Sequence, residues 1–206
     1  MAAAALVAAL PSRGLLLHPR LEPLDDAWWD DPVCEAVGAL LRRLRVPAPP
    51  SVPTIATVVP PLLERLPHLP SVPRRVATRT RGLAADLLGS EGTLPRLLHG
   101  ALDDRALRLD HGDPVAVLPE PLAGHPAWDV WPAVRMRPAD LGTGTALRWS
   151  VRHRLALVAD AAGLDPEEAR AWTLLRAGVE VARTAESGAD ETALSLDLAV
   201  MKALDD

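Results

Sequence analysis

The sequence predicts a mainly α protein of the α+β class, with a short β element in its middle. Apolar residues recur at helical spacing in several stretches, and cap and stop residues bracket those stretches. Two alternating runs flank a turn sequence, which is the mark of a hairpin. The chain is 206 residues long, 49% hydrophobic and 24% charged, enough for one domain with a substantial core, and residues 1–206 are read as that single domain.

The opening MAAAALVAAL is a helix by propensity. Apolar for only ten residues and without a basic leader, it falls short of a membrane span and makes a poor secretory signal. Asp31 and Pro32 take cap and first-turn positions ahead of Val33, Val37, Leu40 and Leu44, giving a helix over 32–45 that stops at the proline-rich VPAPPSVP, an internal loop. A short helix covers 59–67. A longer one, 73–89, carries Val76, Thr80, Leu83 and Leu87 on one face and ends at Gly89. RALRLD and VAVLPE then read as strands around the turn HGD.

From Pro126 the chain turns helical again. Leu147, Val151, Leu155, Val158 and Ala162 form one stripe that stops at Gly163, with His153, Arg148, Arg152 and Arg154 on the helix surface. Asp165, Pro166 and Glu168 supply a cap, a first-turn proline and a capping-box acid for a helix that turns Ala169, Trp172, Leu175 and Val179 inward. Leu194, Leu198 and Met201 mark a last helix. No internal repeat is present.

Composition narrows the setting. Phe, Tyr, Asn and Gln are absent, Ile55 and Lys202 stand alone, and 21 prolines are about twice the average share. The scarce residues have mostly AT-rich codons, so a GC-rich genome of the actinobacterial kind is expected. Net charge is −5 with dispersed arginines, which leaves a nucleic-acid backbone no basic stripe to grip. No nucleic-acid or membrane partner is expected, and the protein reads as cytoplasmic. The one cysteine, Cys34, excludes an internal disulfide and a thiolate metal cluster, and reads as core filler on a helix.

Six segments in order, LLLHPRLEPLDD, ALLRRLRVPAPP, RGLAADLL, RLLHGALDDRALRL, VAVLPEPLAGHPAWDV and AGLDPEEARAWTLLRAGVE, carry a family resemblance. The chain resembles the streptomycin 6-kinase/hydroxyurea phosphotransferase branch of the aminoglycoside phosphotransferases. The resemblance implies the helical C-terminal lobe of a protein-kinase-like fold, with at most two N-terminal-lobe strands in residues 2–19 and no counterpart of the glycine-rich loop or the lysine strand. It makes the opening segment a strand. Helix is nevertheless the expectation here, since two strands without their sheet leave unpaired edges.

The family's catalytic loop reads His-Gly-Asp, four residues, then Asn. His99 and Gly100 match, but Ala101 stands for the catalytic aspartate and Ala106 for the metal-binding asparagine. The later motif appears as Val117, Leu118, Pro119, Glu120 and then Gly124, His125, Pro126, Ala127, Trp128, Asp129, so that Leu118 replaces the magnesium aspartate. The resemblance makes Asp129 the aspartate that braces the catalytic loop, with Trp128 beside it as a core aromatic. Phosphoryl transfer needs a lysine, metal ions and an aspartate that orients the attacking hydroxyl. Leu118 offers magnesium no oxygen, and Lys202 is the only lysine, so ATP-dependent transfer is not expected. No metal site and no cofactor are expected.

Three functions remain open. The first is a repurposed small-molecule site, in which Asp103, Asp104, Glu120 and His125 serve as acid–base groups and His99, Arg105, Trp131, Trp172 and Arg176 as ligand contacts. This suits an ATP-independent cyclase, isomerase or dehydratase of natural-product biosynthesis. The second is a non-catalytic pseudokinase module that binds a ligand or partner. Apolar surface left by a missing lobe predicts a homodimer or another protein partner, with Trp28 or Trp29 facing it. The third is a residual or decayed aminoglycoside phosphotransferase of antibiotic resistance. Bland roles compete at the same positions: a solvated turn at Asp103–Arg105, a backbone-bonded His99, and a helix cap at His125.

Overall fold

A computed structural model describes residues 2–25, 28–89, 94–188 and 191–205. Helix α6, Pro166–Ser187, runs through the centre, and its buried residues from Ala169 to Ala182 cover its whole circumference. A helix apolar on every side must be enclosed, and α6 packs against α2 (Ile55–Arg65), α3 (Arg74–Gly89), α5 (Gly144–Ala162) and α7 (Glu191–Asp205). Helix α1, Asp30–Arg43, lies along α5. No described helix is long and apolar enough to cross a membrane.

The helices follow their stripes with three local departures. α1 starts at Asp30 with Trp29 as an unbonded cap, so Asp31 is a first-turn residue and not the cap. The cause is Arg154, which is buried rather than on the surface of α5: it pairs with Asp30 at 2.7 Å and donates to Met136 O at 2.5 Å. α2 begins at Ile55, earlier than expected, because Thr54 caps it by accepting from Thr57 N at 3.2 Å. Pro60 and Pro61 then fall inside the helix and remove two of its donors.

The β structure forms three antiparallel pairs among the described residues. β4 (Leu107–Asp110) and β5 (Asp113–Ala116) make the expected hairpin around His111 and Gly112, whose φ values of 54° and 89° suit a tight primed turn. β5 ends at Ala116, short of the expected run, because the chain turns at Leu118 with φ 56°. β3 (Arg96–Leu98) pairs with β6 (Leu122–Gly124), a ladder that periodicity over three residues does not reveal.

The opening segment is a correction. It forms β1 (Ala8–Leu10) and β2 (Leu15–Leu17), not a helix. Pro11 cannot continue a helix through its missing N–H, and Gly14 closes the turn in the left-handed region at φ 63°. The edge problem behind the helical expectation is met partly by the chain itself. Ala116 N donates to Ala2 O at 3.0 Å and Ala4 N to Ala116 O at 3.1 Å, while Glu22 exchanges bonds with Leu109 on the other strand. Cys34 is fully buried on α1, where burial and then the Asp30 charge push its thiol up to about 12.

Two helical glycines differ in what surrounds them. A Cβ on Gly38 would lie 2.6 Å from both Val158 O and Ala161 Cβ, so α1 and α5 touch there backbone to backbone. Gly38→Ala is expected to destabilise the protein by about 1–3 kcal/mol through overpacking, offset by at most about 1 kcal/mol of helix propensity. Gly82→Ala, on open α3 surface with nothing within 4 Å, is expected to stabilise by about 0.5–1 kcal/mol. Urea denaturation of the two variants measures both signs.

Candidate functional site

The site grows from the β3–β6 ladder, which delivers the loop His99–Ala106. Beneath it lies Asp129, 2% exposed, which accepts from His99 N at 2.6 Å and Gly100 N at 3.0 Å. Arg176 on α6 completes the support. It donates to Gly100 O at 2.5 Å and Trp128 O at 3.2 Å, lies 3.6 Å from Asp129, and stacks over the Trp128 ring. Burial pushes the Asp129 carboxyl up, opposed by Arg176 and then by the two N–H donors.

Above the brace the backbone approaches itself closely. A Cβ on Gly100, which has φ 85°, would lie 2.0 Å from Glu120 O, so no other residue fits. Glu120 N donates to His99 O at 2.7 Å. The His99 ring is spent on the backbone: Nε2 donates to Val117 O at 3.1 Å and Nδ1 accepts from Ala101 N at 3.4 Å, which assigns the tautomer. Burial holds its pKa below the usual histidine range.

A cleft of about 440 Å³ opens beside this loop, lined by Ala101, Asp103, Arg105, Glu120, Trp131 and Arg176 among others. Asp103 turns its carboxylate back to accept from Arg105 N at 2.9 Å and Ala106 N at 3.2 Å, and burial pushes its carboxyl up. Asp104 pairs with Arg137 at 2.9 Å and does not line the cleft. Arg137 also donates to Trp28 O at 3.2 Å and covers the Trp29 ring, tying the loop to the segment before α1. The far wall carries the Arg135–Asp197 pair, with Thr184 donating to Asp197 at 2.9 Å, and Glu180 paired with Arg183 at 3.0 Å. Sequence reasoning missed Arg135, Arg137, Glu180 and Asp197: only Glu180 falls in a quoted segment, as its last residue, and each is brought to the cleft by packing.

The expected acid–base set is not assembled in one place. His125 lies in a second cleft of about 590 Å³, together with Trp172 and Glu168. Its ring stacks on Trp172 with centroids 4.9 Å apart, and Nδ1 accepts from Ala127 N at 3.3 Å, a cap on the 126–130 turn. Glu168 stands 3.7 Å from its Nε2. Burial lowers the His125 pKa. Of the expected residues, then, Asp103, Glu120, Arg105, Trp131 and Arg176 share the loop cleft, His125 and Trp172 share the other, His99 begins the loop with its ring bonded to backbone, and Asp129 and Trp128 lie beneath it.

The loop cleft does not fit a magnesium nucleotide. At the positions to which the resemblance assigns the base and the metal ligands stand Ala101, which lines the cleft, buried Ala106, and Leu118, 70% exposed, and none of the three side chains has an oxygen to give. Of the four carboxylates lining the cleft among the described residues, three are engaged, by a cap at Asp103, by Arg135 at Asp197, and by Arg176 and Arg183 at Glu180, and Glu120 by itself does not make a metal site. Among the described residues no group of three or more His, Cys, Asp or Glu is placed to hold a metal ion.

A glycine-tight loop held from below by a buried aspartate, on a helical lobe with a thin β layer, defines the C-terminal lobe of a kinase-like fold. The chain is 32% identical over 151 residues to a streptomycin 6-kinase of Streptomyces glaucescens, covering 70% of this chain and 48% of that protein. It is 34% identical over 160 residues to a streptomycin 6-kinase of Streptomyces griseus, covering 71% and 50%. Among solved structures, amicoumacin kinase in complex with AMP-PNP, Ca²⁺ and Ami superposes with a TM-score of 0.64 at 12% identity, over 100% of this chain and 72% of that one. No family model matches. The chain is an aminoglycoside-phosphotransferase-like protein related to the streptomycin 6-kinases, and it spans about half the length of the curated relatives it matches.

Two outcomes test the brace. Asp129→Ala leaves Arg176 buried beside two orphaned N–H groups, and urea denaturation is expected to read a loss of about 3–5 kcal/mol. A loss below about 1 kcal/mol would contradict that account. The lowered pKa values of His99 and His125 mean that, just below 6.5, the unfolded chain binds protons the folded chain refuses. Stability from these groups therefore rises with pH through that window and is level above it. The raised carboxyls of Asp103 and Asp129 act in the opposite sense, starting from 3.8. Tm is expected to gain more, or lose less, between pH 5.5 and 7.5 in the parent than in the His99→Gln/His125→Gln variant.

Proposed function

We propose that this lobe binds a polar small molecule in the cleft beside Ala101–Arg105 and does not transfer phosphate from a nucleotide. The observation that carries the reading is the contrast at one loop. The brace of Asp129, Arg176 and Gly100 is intact, while Ala101, Ala106 and Leu118 hold no group able to orient an alcohol or ligate magnesium. Pairing this lobe with any second lobe would not supply those three side chains. The polar lining of Asp103, Arg105, Glu120 and Arg176 suits a ligand rich in hydroxyl or amide groups.

Binding is favoured over turnover because His125, the expected base, lines a different cleft. Asp103 and Glu120 are the groups left for an ATP-independent isomerase, cyclase or dehydratase step. The proposed setting is the cytoplasm of an actinobacterium, in natural-product metabolism.

Thermal shift tests the reading. ATP with magnesium is expected to leave Tm unchanged, whereas a member of a panel of aminoglycosides and polyketide-like or peptide-like metabolites is expected to raise it, by the equivalent of about 2.7 kcal/mol at a hundred times Kd. Ala101→Trp, which fills the cleft, is expected to abolish the shift. Label from [γ-³²P]ATP appearing on an aminoglycoside would favour residual antibiotic kinase activity instead.

A specific observation supports self-association as a second feature. Leu6, Val7, Leu10, Leu15, Leu16 and Leu17 are 46–62% exposed, and among the described residues β1 pairs with β2 alone, so both faces of this hairpin are apolar and open. A second copy of the chain is the proposed occupant. Sedimentation is expected to give a dimer that Leu16→Glu converts to monomer; a monomeric parent chain would remove the idea.

A further inference from the structure

We propose that the cleft floored by His125 and Trp172 is a second small-molecule site, separate from the loop cleft, and that its ligand is an apolar amine. The inference does not rest on the reading of the loop cleft. Among the described residues none lines both cavities. In the β3–β6 ladder Gly124 pairs with Arg96 at this end, and Leu98 with Leu122 at the end where the His99 loop begins. Along α6, Trp172 and Glu180 belong to different clefts and are eight residues apart, about 12 Å of helix.

The cavity, about 590 Å³, falls within the size range of small-molecule pockets, roughly 300–1,000 Å³. Its walls are apolar: Ile55 and Ala56 from the first turn of α2, Leu87 and Leu88 from the last turn of α3. The floor is held rigidly. The His125 and Trp172 rings are parallel to within 4°, and the Ala127 N–H occupies Nδ1, so Nε2 is the imidazole nitrogen left for the cavity. Trp172 itself is 7% exposed.

Charge then selects the ligand. Among the described residues that line the cavity Glu168 is the one with a formal charge, and burial holds the His125 pKa below the usual histidine range against the pull of Glu168, with a smaller push from Arg45. Arg45 does not line the cavity, and its guanidinium donates to Ala162 O at 2.5 Å. Glu168 fits the capping-box position of α6, but its carboxylate lies 3.7 Å from His125 Nε2 at the cavity, while Asp165 alone accepts the first-turn N–H groups. A single carboxylate on an apolar wall selects a hydrophobic body carrying one ammonium group. An organic acid of the same shape meets repulsion.

Three probes with one body separate the terms: 4-phenylbutylamine, 4-phenylbutanol and 4-phenylbutyrate, titrated into ¹⁵N-labelled protein. The amine is expected to give saturable shifts of the Trp172 indole N–H and the Ala127 amide, with the alcohol weaker and the acid weakest. Glu168→Gln is expected to lower amine affinity by about two- to fivefold, the range for a partly exposed ion pair, and to leave the alcohol unchanged. Ala56→Trp, at an exposed lining position, is expected to abolish all binding while the remaining spectrum stays that of the folded protein. Equal or tighter binding of the acid overturns the choice of ligand. Shifts confined to Ala101–Arg105, or no saturable shift at millimolar amine, overturn the site.

Discussion

One buried carboxylate organises the centre of this molecule. Asp129 stands between two backbone donors and the Arg176 guanidinium, and these partners come from two elements: the His99 loop after β3, and the central helix α6. A buried charge is tolerated only when it is paired and hydrogen-bonded. Folding α6 into the core therefore obliges the loop to take one shape. Gly100 then reaches Glu120 O, Glu120 N reaches His99 O, and the β6 strand is brought beside β3. The loop is determined by what lies under it.

That arrangement explains how the shape and the chemistry of the loop can part. The groups that set its conformation are backbone amides, one carboxylate and one guanidinium below the surface. The positions that the resemblance gives to nucleotide chemistry take no part in the brace, and here they hold the methyls of Ala101 and Ala106, the latter buried, and the isobutyl of Leu118. Exchanging them leaves every bond of the brace in place. Asp103 shows the same economy: with no metal-ligand partner at Ala106, its carboxylate closes the turn by accepting two N–H groups.

The helical architecture was legible in the sequence because stripe, cap and stop agreed, as at Asp165, Pro166 and Gly163, where the side chain of Asp165 accepts from Glu167 and Glu168 N. The opening segment was misread because alanine propensity is a local quantity, whereas Ala3 is held by pairing with Ala116, more than a hundred residues away. Arg154 was misread as surface because its burial depends on Asp30 and on carbonyls from the α4 segment (Trp131–Arg135), none near it in sequence. The candidate site was partly legible: the motif placed Asp103, Arg105 and Glu120 near one loop. It also placed His125 there, since three residues of β6 look like a short link, when they in fact carry the chain to the other end of a ladder.

The two cavities rest on successive turns of one rod. Trp172 forms part of one floor, and Arg176, four residues on, forms part of the other. α6 is enclosed on all sides, so it cannot bend between them without disturbing the packed core around it. A tilt of the rod that widened one cavity would therefore move the wall of its neighbour as well.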